Sequence, residues 1–319
     1  TLPTVTDCNL VLGYLDPQSK LAGRLAIRAD KAQAAIGEYL AGPLDLSIDE
    51  AAAGVLAVVD NAMAEALRIV SVERGHDPRE FSLVAFGGAG PMHAAALAGE
   101  LGIAEIIVPP IPGGFSALGL VASDLKRDYV KTYYTLIDSA DHHAMEAIYA
   151  AMEQSARAML RAAEIPEAKW SLERAADLRY ARQAYELTVP ARAGAVTNDM
   201  LDELAERFHR KHHQTYGHDN PHEAVQIVNL RLTAIGRLEG IALRQAADGG
   251  VAARTGKRTV WFLGEGRVDC AVYARAGLAA GDTLAGPAVI EAVDATIVVP
   301  PAWRATVNAD GHLIMESKA

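Results

Sequence analysis

Residues 82–96 read SLVAFGGAGPMHAAA, and the residue types gathered there could hold an anion against bare backbone. Gly87, Gly88, Ala89 and Gly90 follow an apolar run and precede a small-residue helix. Glycines at a strand-to-helix turn let a ligand approach the main chain, and the free N–H groups at a helix start favour phosphate. The same residues also let a helix pack tightly on a sheet, so pattern alone leaves both readings open. A dinucleotide fold asks for GxGxxG and an acidic residue about twenty positions later. Here His93 stands where the third glycine belongs, and the next apolar strand ends in Val108-Pro109, which excludes that reading. A P-loop is excluded as well, because neither Lys-Ser nor Lys-Thr follows the glycines.

Two other stretches invite chemistry and lose it on inspection. In HRKHHQTYGHDNPH, His209 and His213 have the i, i+4 spacing of a zinc helix. The general base of a HExxH metalloprotease is replaced by Arg210, and Arg207, Arg210 and Lys211 would repel a cation. A solvated helix face ending in a capping turn is expected there, with metal binding the lesser alternative. The segment GDTLAGPAVIEAVDATIVVPPAWRATV has the cadence of a swinging-arm carrier domain. Its hairpin tip would carry Ala292, Val293 and Asp294, with no lysine to biotinylate or lipoylate, so a structural β module is expected. Cys8 and Cys270 lack CxxC spacing and read as buried thiols.

The elements that must position the glycines are legible on either side of them. Upstream, a helix over residues 29–41 stops at Gly42-Pro43. A second begins at a Ser47/Glu50 capping box and keeps an apolar stripe (Val55, Val58, Val59, Met63, Leu67, Val70) until Gly75. The strand FSLVAF, the glycines, the helix PMHAAALAGELG and the strand AEIIVPP then form a β-loop-α-β unit, the grammar of a parallel sheet. A Pro- and Gly-rich loop and the helical SALGLVASDL close a first module near Lys126. From Ser139 a long amphipathic helix (Met145, Ile148, Met152, Met159) runs up to Pro166, its methionines read as core. Residues 171–190 alternate like paired strands (Leu178, Tyr180, then Tyr185, Leu187, Val189), followed by a helix from Thr197 to about Tyr216, capped by Gly217. In AVQIVNLRLTAIG the apolar phase shifts between Ile227 and Val228, implying a bulge or burial on both faces. A polar linker leads to short strands from Arg258. The modules expected are residues 1–126, 127–245 and 246–319.

A chain of 319 residues with half of them hydrophobic can bury substantial cores. A formal charge of -10 and a pI near 5.5 argue against nucleic-acid or anionic-membrane partners. With no membrane-length apolar stretch and no signal-like opening, a cytoplasmic protein is expected. The chain opens on Thr1 in mid-pattern and reads as the C-terminal piece of something longer.

PTVTDCNLVLGYLDP, SVERGHDPREFSLVAFGGAGPMHA, PPIPGGFSALGL, DLRYARQAYELTVP, VQIVNLRLTAIGR and GPAVIEAVDATIVVPPAW resemble, in order, consecutive blocks of the hydantoinase A/5-oxoprolinase family. The resemblance covers essentially the whole chain. It implies an α/β fold: half of an actin-like (ribonuclease H-like) ATPase domain, followed by α+β and β-rich C-terminal modules. It implies ATP and Mg²⁺ as cofactors, with Gly87, Gly88, Ala89 and Gly90 as the adenosine motif. Glu73 and Arg74 become candidate ribose or adenine contacts, and Asp7 and His93 candidate catalytic groups; a buried structural role is the alternative for His93. The family's phosphate loops belong upstream of this chain, so the N-terminal half of the same subunit and a hydantoinase B-type subunit are implied partners, within an oligomer. The implied chemistry is activation of the carbonyl oxygen of a cyclic amide by phosphorylation. A ketone carboxylase subunit and a non-catalytic interaction module are the alternatives. Cys8, Arg182 and Ala302 stand where the family more often has Ala, Gly and Gly, and Arg182 bears on the turn of the 180s hairpin.

Overall fold

Ser47 opens the helix that positions the glycine turn, and its cap is complete: the Ser47 side chain accepts from the Glu50 N–H while the Glu50 carboxylate accepts from the Ser47 N–H at 2.9 Å. The computed structural model describes residues 2–18, 20–21, 25–239 and 253–317. In chain order, α1 is Val5–Val11, α2 Ala29–Ile36 and α3 Ile48–Val70. The stop expected at Gly42-Pro43 is not where the chain leaves the helix. A π turn (Gly37–Ala41) leads into a short helical turn (Gly42–Leu44) that carries the coil through both residues, and it ends at Asp45 with φ 54°. The buried face of α3 is Ala51, Ala52, Leu56 and Ala64; the expected stripe is displaced from it, with Val58 and Val70 exposed.

After α3 come β1 (Leu83–Val84), α4 (Gly90–Leu101), β2 (Glu105–Val108) and α5 (Phe115–Ala122). β1 pairs parallel with β2, Leu83 opposite Ile106 and Val84 opposite Ile107, as the β-loop-α-β reading requires.

Residues 122–241 form one of two compact units. It holds β3 (Leu125–Leu136), α6 (His142–Ala162), β4 (Trp170–Tyr180), β5 (Leu187–Pro190), α7 (Asn198–Tyr216) and β6 (Val225–Gly236). The strands make an antiparallel sheet in the order β3-β6-β4-β5, and the two helices supply Met145, Met152, Leu160, Leu204 and Phe208 to its core. The phase shift in β6 is a bulge: Asn229 pairs with Asp177 and Ile227 with Leu178, leaving Val228 unmatched. Tyr185 lies outside the strand pairing and is exposed. The 180s turn is met without left-handed strain at Arg182, the positive-φ residues other than glycine being Asp45 and Glu164 among the described residues.

The other unit joins residues 1–121 to 242–319. The final stretch supplies β7 (Arg254–Phe262), β8 (Gly266–Ala274), β9 (Thr283–Ala285), β10 (Ala288–Glu291), β11 (Thr296–Val299), β12 (Trp303–Val307) and β13 (Leu313–Ser317). One sheet runs β11-β10-β8-β7 and the other β9-β12-β13-β2-β1. In the second, β13 pairs antiparallel with β2, Leu313 opposite Val108, so the C-terminal strands complete the sheet that carries the glycine turn. A shared core of Ala94, Ala98, Ile106, Ile290, Ile297, Val299 and Met315 follows from that pairing.

Candidate functional site

The glycine turn hangs between β1 and α4. Ala85 N–H extends the parallel pairing to the Ile107 carbonyl (2.9 Å), and Gly87, at φ 84°, donates its N–H to the Pro112 carbonyl (2.8 Å). Only glycine takes that φ freely. Ala89 caps α4 without a side chain to accept from its first N–H groups, and a Cβ added at Gly87 or Gly90 would meet nothing within 4 Å. The backbone is therefore open on the side from which a ligand would come. Beneath it, Asp294 at the β10–β11 hairpin accepts from Gly114 N–H (3.1 Å), and a Cβ on Gly113 would lie 2.6 Å from the Asp294 carbonyl. Two glycine turns and a hairpin tip thus pack against one another. That tip carries Ala292, Val293 and Asp294 as expected, with Val293 94 % exposed.

Beside the turn lies an apolar recess of about 330 Å³ between α3, β1 and α4, walled by Met63, Leu67, Leu83, Phe86, Gly90 and Leu97. A flat aromatic ring suits such walls, and the open helix start suits the anion attached to it. Those two features are what an adenine nucleotide asks of a protein, and the residues present fit it.

The remaining candidates are placed as follows. Glu73 and Arg74 are exposed on a short helical turn after α3 and do not line the recess. Asp7 closes a capping box on α1, accepting from the Thr4 N–H (2.8 Å) and hydroxyl (2.7 Å). His93, one turn into α4, is buried; its Nδ1 lies 2.7 Å from Asp60 Oδ1 and its Nε2 3.5 Å from Asn9 Nδ2. A carboxylate only accepts, so Nδ1 donates to Asp60 and Nε2 is left to accept from the amide. The Asn9 Oδ1 is then buried without a partner. Burial first, and then the charges of Asp60 and Cys270, push the nearby Tyr14 hydroxyl up to about 12. Asn9 and Asp60 were not singled out in the sequence. Asp60 had a signal: it sits four residues from both Leu56 and Ala64 on the buried face of α3.

In the other unit, Asp177 on β4 is fully buried and accepts from Arg231 Nε (2.7 Å), Thr188 Oγ1 (2.7 Å) and Asn229 Nδ2 (2.9 Å). The histidines of α7 are not a solvated face throughout. His212 is buried, with Nδ1 2.7 Å from the His218 carbonyl and Nε2 against the Gln183 amide, while Tyr180 Oη lies 2.7 Å from His209 Nδ1 and accepts from Asn220 N–H. Burial holds His209 below its ordinary value. A histidine kept neutral by folding contributes stability above its unfolded value, about 6.5, that is lost as pH falls below it. The melting temperature is therefore expected to drop between neutral pH and about pH 5, with a smaller drop in His209→Phe; equal slopes for the two chains would reject this role.

The fold and site define a mixed α/β protein of several sheets with an open glycine turn at a parallel strand-to-helix junction. The comparisons with known proteins narrow that class. The hydantoinase/oxoprolinase family model matches residues 1–129, and the model of the hydantoinase/oxoprolinase C-terminal domain matches residues 137–319. The chain belongs to the hydantoinase/oxoprolinase family. It is 32% identical over 318 residues to the caprolactamase subunit alpha of Pseudomonas jessenii, covering 96% of this chain and 45% of that one. It is 28% identical over 324 residues to the acetone carboxylase beta subunit of Xanthobacter autotrophicus, covering 97% and 45%. Among solved structures, nucleotide-free acetone carboxylase superposes with a TM-score of 0.79 at 26% identity, covering 98% of this chain and 46% of that one. The ATP-dependent caprolactamase of Pseudomonas jessenii gives 0.75 at 30%, covering 99% and 47%. The chain thus spans somewhat less than half the length of these relatives.

Proposed function

We propose that this chain is the nucleotide-binding C-terminal half of an ATP-dependent enzyme that activates the carbonyl oxygen of a cyclic amide, with the turn and recess as the adenosine side of an actin-like cleft. The observation that carries the proposal is the apolar recess opening directly onto the uncapped start of α4 at Gly90. An amide carbonyl is a poor electrophile until its oxygen can leave, and bound ATP supplies the phosphoryl group that makes it a leaving group. The chain's own part is positional: Met63, Leu67 and Phe86 exclude water from the base, and Gly87, Gly88, Ala89 and Gly90 admit the nucleotide to the backbone. His93, tied to Asp60, holds the first turn of α4 rather than reaching a phosphate. Mg²⁺ would enter with the phosphates, whose ligands we assign to the N-terminal half of the subunit. A B-type companion subunit, in an oligomer, completes hydrolysis. The likeness to acetone carboxylase supports a second reading, in which the activated carbonyl belongs to a ketone that is then carboxylated.

Calorimetry with Mg-ATP tests the assignment, first on this chain and then with the preceding half restored as in the relatives. Weak or no binding alone and recovery on restoration are expected. Tight binding by the isolated chain rejects the shared cleft. Turnover of hydantoin, 5-oxoproline, caprolactam, and acetone with bicarbonate separates the two substrate readings. ATP hydrolysis stimulated by none of them rejects both.

A further inference from the structure

β1 is the last strand of its five-stranded sheet and has one open side. Val84 lies opposite Ile107, and Ala85 N–H donates inward to the Ile107 carbonyl. Backbone groups alternate sides along a strand, so the N–H groups of Val84 and Phe86 point away from β2. Among the described residues neither finds a backbone partner, and both side chains are exposed. Residues 83–86 carry neither charge nor proline, the residue types that keep an open strand edge from pairing.

α5 continues the same surface. Its sequence, FSALGLVA, is apolar but for Ser116 and Gly119, yet none of its residues is buried. Leu120 is 78 % exposed and Val121 62 %. A helix apolar on all sides belongs in an interior, so its cover lies outside these residues. The strand edge and the helix adjoin: the Phe86 ring lies 5.4 Å from that of Phe115, and the N–H groups of Gly87 and Phe115 both donate to the Pro112 carbonyl.

We propose that this face docks the preceding half of the same subunit, which adds a strand to the open edge of β1 and packs apolar side chains over Phe86, Phe115, Leu120 and Val121. The chain spans 45% of the caprolactamase subunit alpha and 45% of the acetone carboxylase beta subunit, which leaves polypeptide enough for such a half. β1 and β2 are parallel, and parallel strands occur with both faces covered and are joined by long crossovers within one chain. A second copy would instead have to meet β1 across a two-fold axis, in the antiparallel sense, on a run of two paired residues. The added strand continues the sheet sideways from β1, so it borders the recess between β1 and the helices rather than filling it. The inference takes from the proposed function the preceding half alone and not the nucleotide.

Hydrogen exchange without nucleotide tests the docking, on this chain and on the chain with the preceding half restored as in the relatives. The Val84 and Phe86 amides are expected to exchange at least about tenfold more slowly in the restored subunit. Ala85 N–H, already bonded to Ile107, is the internal reference. Val84→Pro removes an N–H that the chain alone leaves unpaired, and Leu120→Asp places a charge on an exposed position. Each should leave the melting temperature of the chain alone unchanged and, in the restored subunit, return the Phe86 amide towards its faster exchange. Equal rates in the two wild-type proteins, or undiminished protection in the Val84→Pro subunit, would overturn the proposal. Protection of the chain alone that grows with its concentration would put a second copy on this face instead, and protection that appears only with Mg-ATP would give the face to the nucleotide; either overturns it. Should Val84→Pro fail to fold, undiminished protection in Leu120→Asp decides against it. A restored subunit that protects both amides yet binds no Mg-ATP upholds the docking and rejects the nucleotide reading.

Discussion

Asp177→Ala is expected to cost the unit of residues 122–241 about 2–4 kcal/mol, the scale for stranding several hydrogen-bond donors around a buried carboxylate whose cationic partner, Arg231, is 35% exposed. The magnitude follows from what the carboxylate holds. Asp177 is fully buried and gathers hydrogen bonds from three side chains on β5 and β6, so its loss strands Arg231 Nε, Asn229 Nδ2 and Thr188 Oγ1 together. Its own burial raises the carboxyl, but the bonds from Arg231, Thr188 and Asn229 outweigh that and hold it below the ordinary carboxylate range. A depressed folded value means stability that is present above about pH 4 and lost as pH falls further. Urea unfolding followed through Trp170, which packs against this core, should shift its midpoint down by about 2 M. The double variant Asp177→Leu/Arg231→Met should recover part of the loss, because no charge is then left alone. An unchanged midpoint in Asp177→Ala would remove the carboxylate from its place at the centre of this sheet.

Asp177 also shows how far the sequence reaches. The two-residue period of β4 places it opposite Leu178 and Tyr180, but its burial depends on β5 and β6, which cover it with residues 11, 52 and 54 positions away. Local signals were legible: the Ser47/Glu50 box, the parallel β1-loop-α4-β2 unit, the bulge at Val228 and the tip at Ala292 to Asp294. β3 was not. Its half-buried residues Leu125, Tyr129 and Tyr133 recur every fourth position along an edge strand, so no apolar alternation marks it. The partnership of β13 with β2 was likewise hidden, since nothing in Leu313–Ser317 names a strand some two hundred residues upstream. The candidate site divides the same way: the glycine turn is contiguous and stands out, whereas Asn9, Asp60 and His93 meet only through folding.

On the proposed nucleotide reading, with the preceding half restored, Gly90→Leu is expected to leave the fold intact and to lower ATP-dependent turnover at limiting ATP by about a hundredfold, or about 2.7 kcal/mol. The two effects separate because of where Gly90 sits. It is the first residue of α4, its φ is not in the left-handed region, and a Cβ there meets nothing within 4 Å. Leucine is the better helix former, so stability should hold or rise by up to about 1 kcal/mol. A packing role for the glycine would require the opposite, namely a Cβ driven into the sheet. Gly90 lines the recess, so a leucine side chain would occupy the space assigned to the nucleotide. The loss should appear as a raised KM for ATP, with Gly90→Ala intermediate. Gly99→Leu, an exposed position on the same helix with equal room for a Cβ, should change nothing. Size-exclusion chromatography distinguishes a blocked nucleotide from a blocked protein segment, since only the second would alter assembly. Full turnover in Gly90→Leu would return the glycines to a purely structural role and the recess to an incidental gap between α3 and α4.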